Sequence, residues 1–112
     1  MIPHFKGNIP FVDIEQMQEI DRLVSDELGI SQLQMMENAG LNLAILAREN
    51  FLQNKPAGKK ILVAAGPGSN GGGAMVAARR LHNWGADVKL MLSSTKGKFR
   101  KETIYQFTIL KN

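Results

Sequence analysis

Lys60-Ile61-Leu62-Val63-Ala64-Ala65-Gly66-Pro67-Gly68-Ser69-Asn70-Gly71-Gly72-Gly73 is the stretch that decides the fold. Its first six residues form a short apolar run after a turn-rich break at 54–58, which is the pattern of a parallel strand buried on both faces. Gly66, Gly68 and Gly71 then satisfy the spacing G-x-G-x-x-G, and a helical stretch is predicted over 74–84. Met75, Ala78, Leu81 and Trp84 would face its core, and Gly85 would stop it. The motif carries weight in this context, after a strand and before a helix. Glycines permit a sharp turn and a close backbone approach to a phosphate, while the free amides opening the helix attract its charge. Gly72 and Gly73 extend the run beyond what a tight turn needs.

Downstream, 87–93 reads as a second strand in which Val88, Leu90 and Leu92 alternate with Lys89 and Met91. Strand, helix and strand together predict a right-handed βαβ unit. A loop at 94–97 and a last helix from about Phe99, with Ile104, Phe107 and Leu110 on its apolar side, follow.

Upstream, Asp13 with Gln16 and Ser31 with Gln34 are capping-box signals for two helices. The first repeats Ile14, Met17, Ile20, Val24 and Leu28 up to Gly29, with its acidic residues forming a solvated face. The second, to about Asn50, carries Leu33, Met36, Gly40, Leu43 and Ala47 on one stripe. Met35, Ala39, Ala44, Ile45 and Leu46 widen that stripe and predict a helix packed between two layers. A glycine inside a helix costs about 1 kcal/mol relative to alanine, so Gly40 marks a close approach by other atoms. The order αα-β-α-β-α predicts a Rossmann-like three-layer α/β/α domain that two strands leave incomplete, to be finished by further sequence or by a partner.

The chain has 112 residues, room for one domain, and no repeat or low-complexity tract. Its net charge of +4 favours anionic ligands without choosing among them. The densest basic cluster, Lys96, Lys98, Arg100 and Lys101, holds a single aromatic, Phe99, and not the series of interleaved aromatics a single-strand groove uses, which argues against a nucleic-acid groove. Absence of cysteine removes disulfides, thiolate nucleophiles and cysteine metal sites, and fits a cytoplasmic setting. His4 and His82 are too far apart in sequence to suggest a paired-histidine metal site. Met1–Pro10 has no apolar leader, and no apolar run is long enough for a membrane span.

Within the loop, Asn70 can orient a ligand or offer an oxygen to a cation; the alternative is an asparagine chosen for turn geometry. A nicotinamide dinucleotide site of the dehydrogenase type would place an acid at the end of the second strand, where Ser93 and Ser94 stand; Asp87 lies at the strand's other end. A Walker-type phosphate loop is excluded, because no Gly-Lys-Ser or Gly-Lys-Thr follows Gly66 at the required distance. Glu37 and Asn38 lie on the broad second helix, where a solvated position is expected; Glu37 is the one acid placed near the loop.

Gln34-Met35-Met36-Glu37-Asn38-Ala39-Gly40, Gly66-Pro67-Gly68-Ser69-Asn70-Gly71-Gly72 and Val76-Ala77-Ala78-Arg79, in that order, resemble the YjeF N-terminal family, the NAD(P)H-hydrate epimerases. The resemblance also takes in the first helix. It implies a Rossmann-like three-layer fold and an isomerase of nicotinamide nucleotide repair that interconverts the S and R epimers of NADHX and NADPHX, with a potassium ion in its site. It implies that Ser69, Asn70, Gly71, Gly72 and Gly73 bind substrate and that Asn70 binds the potassium. This loop departs from the family's Asn-Asn-Gly-Gly-Asp-Gly at Gly73, where the family has an acid. The resemblance spans all of 1–112, read as a single domain, but only the first half of the family's domain. The further potassium ligand, second substrate loop and acid-base carboxylate would lie past Asn112, so no catalytic residue is assigned. The alternative reading is a noncatalytic nucleotide- or protein-binding scaffold of the same fold; a homodimer and a protein partner remain open.

Overall fold

The computed structural model describes residues 4–112, so the opening three residues of the N-terminal arm lie outside the described residues. Six main elements follow one another: α1 (Ile14–Arg22), α2 (Gln32–Asn50), β1 (Lys60–Ala65), α3 (Ser69–Asn83), β2 (Asp87–Leu92) and α4 (Lys101–Lys111). The order matches the one predicted. β1 and β2 pair in parallel, Lys60 opposite Asp87 through Ala65 opposite Leu92.

α3 is the centre of the structure, packing against α2, α4 and both strands. Met75 and Val76 are fully buried, and Ala77, Ala78 and Leu81 nearly so. Burial of a side chain the size of Met or Val contributes about 1.5–3 kcal/mol each, which makes α3 the main apolar anchor of the chain. One end of its core joins Ala44, Ala77, Leu81 and Ala86 to Ile61, Val88 and Trp84. The other gathers Ala65, Met75 and Phe99 with Leu90, Leu92, Phe107 and Leu110. Gly85, at φ +93°, ends α3 in the left-handed conformation, as its position predicted. The Arg48 guanidinium lies over the Trp84 ring, 4.6 Å from its centroid, and ties the end of α2 to the end of α3.

Five expectations are corrected. α3 opens at Ser69 and not at 74, because Gly68 is extended and serves as its N-cap, so the glycines belong to the helix's first turns. β1 is not buried on both faces: Ile61, Val63 and Ala65 face the helices, while Lys60, Leu62 and Ala64 are exposed. Among the described residues α3 is the helix that packs on both strands, with α2 and α4 packing chiefly on α3, so the three-layer domain is incomplete, as its two strands predicted. For the same reason α2 is not sandwiched: its buried residues are Met36, Gly40 and Ala44, and Leu43 and Leu46 are exposed. The first helix runs α-helically only to Arg22, continues as a π-helical turn over Leu23–Glu27 and buries no residue. The last helix begins at Lys101 after a 3-10 turn at Lys96–Lys98, and it is Thr103 and Gln106 that it buries, with Ile104 exposed. Both predicted capping boxes, Asp13 with Gln16 and Ser31 with Gln34, are formed. No helix among the described residues is long and apolar enough to cross a membrane.

Gly40 is where α2 and α3 touch. A Cβ there would lie 2.6 Å from the Gly73 carbonyl oxygen and overlap the Val76 side chain. Gly40→Ala would gain about 1 kcal/mol of helix propensity if the site were open. Instead it should destabilise the chain by about 1–3 kcal/mol, because the obstruction includes backbone that cannot swing aside. Urea unfolding of the two proteins measures the sign directly.

Candidate functional site

The end of β1 and the start of α3 are pressed together. A Cβ on Gly71 would overlap the Gly66 carbonyl oxygen and stand 2.7 Å from its carbonyl carbon. Gly71 is therefore glycine for want of space, and the closeness of the two backbones gives the loop its tight curve. Around this curve lies a cavity of about 470 Å³ lined by Ala64, Gly66, Gly68, Ser69, Asn70, Gly71 and Arg100. Three of the five expected ligand residues, Ser69, Asn70 and Gly71, reach it. Asn70 is exposed and Ser69 half-buried.

Gly72 and Gly73 point elsewhere. A Cβ on Gly72 would strike the Met36 sulfur and come 3.2 Å from the Thr103 hydroxyl, so this glycine serves the packing of α2 and α4 on α3. Gly73 opens onto a neighbouring groove of about 660 Å³ with Asn70, Met35, Met36, Ala39 and Arg100 among its walls. Within 4 Å of a Cβ at Gly73 there is nothing.

Two residues that sequence reasoning did not assign to the site fix the loop from the far side. The Thr103 hydroxyl, fully buried, donates to the Gly68 carbonyl oxygen at 2.9 Å. The Arg100 backbone N–H donates to the Pro67 carbonyl oxygen at 3.0 Å. Together they clamp the N-terminus of α4 onto the glycine loop and set the Arg100 guanidinium at its mouth, Nη1 3.5 Å from Ser69 Oγ. Arg100 was legible as part of a basic cluster; Thr103 left no mark in the sequence. On the α2 side, the Gln32 side-chain amide donates to Ser69 Oγ at 3.3 Å.

Glu37 is not beside the loop, and it is not simply solvated. It bridges Arg79 and Arg80 of α3, the latter at 3.1 Å, in a half-buried ion pair. Burial alone would raise its carboxyl, but the hydrogen bonds and charge of Arg79 and then Arg80 outweigh that and hold it below the usual carboxylate value. Ser93, at the place of the missing ribose acid, lies near the loop, its Oγ 3.8 Å from where a Cβ on Gly66 would stand. His4 and His82 are both exposed, and among the described residues no group of three His, Cys, Asp or Glu could hold a metal ion.

A parallel strand that turns through a glycine loop into the central helix defines a Rossmann-like α/β domain with a cavity at the loop. The chain belongs to the family of the YjeF-related protein N-terminus, whose model matches residues 32–112. It is 44% identical over 86 residues to an NAD(P)H-hydrate epimerase of Dehalogenimonas lykanthroporepellens, covering 77% of this chain and 35% of that protein. Over 81 residues it is 42% identical to a bifunctional NAD(P)H-hydrate repair enzyme of Moorella thermoacetica, covering 72% of this chain and 15% of the other. The crystal structure of yeast ynu0, YNL200c, matches with a TM-score of 0.62 at 27% identity, over 92% of this chain and 45% of that one. The chain thus spans about a third or less of the length of these two curated relatives.

Two outcomes test this geometry. Thr103→Val keeps the shape but leaves the Gly68 carbonyl oxygen only its longer, 3.3 Å bond from the Gly72 N–H, and should cost about 1 kcal/mol, whereas Thr103→Ser should restore most of it; thermal unfolding separates the three proteins. The depressed Glu37 carboxyl means that its stabilisation is complete above the unfolded-state value near 4.5 and is lost as pH falls below it. Glu37→Gln should therefore melt lower than the parent at pH 7, with the gap closing as both are scanned towards pH 3.

Proposed function

We propose that this chain carries the first half of an NAD(P)H-hydrate epimerase site, with the loop at Ser69–Gly73 as the cradle for NADHX or NADPHX. The observation that carries the reading is the forced contact of Gly66 with Gly71, which shapes a cavity at the loop the family shares. Ser69 and Asn70 present the polar side chains, the backbone amides of the first turn of α3 add fixed donors, and Gly72 and Gly73 keep the helix start free of bulk. In this reading the chain works in nicotinamide nucleotide repair, in the cytoplasm.

Potassium would fall at Asn70 by family likeness. The cavity wall offers the Asn70 amide oxygen and the Ser69 hydroxyl as its side-chain oxygens, has no carboxylate and includes the Arg100 guanidinium. A cation wants several oxygens and no neighbouring positive charge, so the residues present do not fit it and no step is assigned to it.

A second reading is a noncatalytic binding module of the same fold. Epimerisation at the hydrated carbon requires proton transfer, to which a placed carboxylate contributes about 10²- to 10⁴-fold. The acid expected nearest the loop, Glu37, is engaged with Arg79 and Arg80 instead. The purified chain should be incubated with the S form of hydrated NADPH and the appearance of the R form followed by chromatography. Conversion above the spontaneous rate supports the enzyme reading; saturable binding of the hydrate without conversion supports the module.

A further inference from the structure

We propose that Arg100 is the counter-charge for a phosphate group in the glycine cradle, making the cavity an anion pocket whose ligand affinity does not depend on potassium. The proposal rests on the cradle being a ligand site, as argued above, and adds what part of the ligand the site recognises.

Charge pairing singles out this residue. The chain has five arginines, and four are engaged by carboxylates: Arg22 by Glu19, Arg48 by Glu49, and Arg79 and Arg80 by Glu37. Arg100 has no carboxylate partner among the described residues. Its one side-chain hydrogen bond is the long one to Ser69, on the loop itself. A guanidinium left unpaired in this way keeps its planar array of donors available for a phosphate, which it can grip through two parallel N–H bonds.

Position adds to charge. The Arg100 backbone is tied to Pro67, and Thr103 one turn later is tied to Gly68, so the side chain projects from a fixed base beside the loop. It lines both the loop cavity and the adjoining groove, meeting Asn70 in each. The loop cavity has no acidic side chain in its wall, and the adjoining groove has one, Asp21 of α1. Every charged or strongly polar group facing that cavity thus favours an anion, with a hydroxyl and an amide that can donate as readily as accept. A nucleoside diphosphate supplies the required chemistry: a pyrophosphate for Arg100 and the loop, carried on a nucleoside.

The test uses the whole chain, titrated calorimetrically with ADP, inorganic pyrophosphate and adenosine, in potassium and sodium chloride at equal ionic strength. ADP should bind, pyrophosphate should compete with it, adenosine should not bind detectably, and the ADP affinity should be the same in both salts. Arg100→Gln should weaken ADP binding by about 10- to 100-fold, with Arg100→Lys between the two. Since the side chain holds no buried contact, both variants should melt within a few degrees of the parent. Undiminished ADP binding by Arg100→Gln, adenosine binding as tight as ADP, failure of pyrophosphate to compete, or a requirement for potassium would each overturn the proposal; so would absence of ADP binding. Conversion of hydrated NADPH that is indifferent to Arg100 would sink this inference and leave the epimerase reading standing. Arg100-dependent ADP binding in a chain that neither binds nor converts the hydrate would do the reverse.

Discussion

The backbone of Gly66 and the backbone of Gly71 occupy adjacent space with no room for a side chain between them, and the rest of the structure is organised by that closeness. It brings the head of α3 against the tail of β1. From there α3 must run back along the sheet, and its buried residues, Met75 through Leu81, are the surface on which α2 and α4 assemble. The same closeness leaves the loop cavity at the C-terminal ends of the strands, where parallel sheets place their ligands. Fold and candidate site are consequences of a single contact.

The contact is supported from three directions by small groups. Gly40 lets α2 approach α3 at the level of Gly73, Gly72 makes room for Met36 and Thr103, and Thr103 and Arg100 draw α4 onto Gly68 and Pro67. A run of glycines that resembles a generic phosphate loop is therefore divided by function. Gly71 closes the turn, Gly72 is a packing residue, and Gly68 and Gly73 have open space beside them. The ion pairs of Glu37 with Arg79 and Arg80 then bind α2 to α3 a little further along.

Most of the architecture was legible because it is local. Alternation, helical spacing, two capping boxes and the glycine spacing each report on residues a few positions apart, and the element order, the parallel pairing and the tight approach at Gly40 emerged as read. What failed was what depends on distant partners. Apolar breadth in 60–65 and along α2 suggested burial on two sides, yet breadth measures only the capacity to be covered, and the described residues cover one side. The start of α3 was set too late because glycines lower helix propensity, a preference overridden here by the packing of those same residues. At the candidate site, Ser69, Asn70 and Gly71, expected there from the glycine loop and the family resemblance, line the cavity. Thr103 was not expected, since a buried threonine whose hydroxyl reaches a carbonyl 35 residues away has no sequence pattern, and Glu37's engagement with two arginines 42 and 43 residues on is equally invisible.

The outer face of the sheet shows how such an uncovered surface can be kept from the wrong neighbour. Leu62 and Met91 are exposed there, but Lys60, Asp87 and Lys89 share the face, with Asp87 directly opposite Lys60 and Lys89 directly opposite Leu62 in the register. A second copy of the same face laid upon it would have to strip water from the charged groups of Lys60, Asp87 and Lys89. These charges raise the cost of covering the face and so keep its apolar residues from pairing indiscriminately.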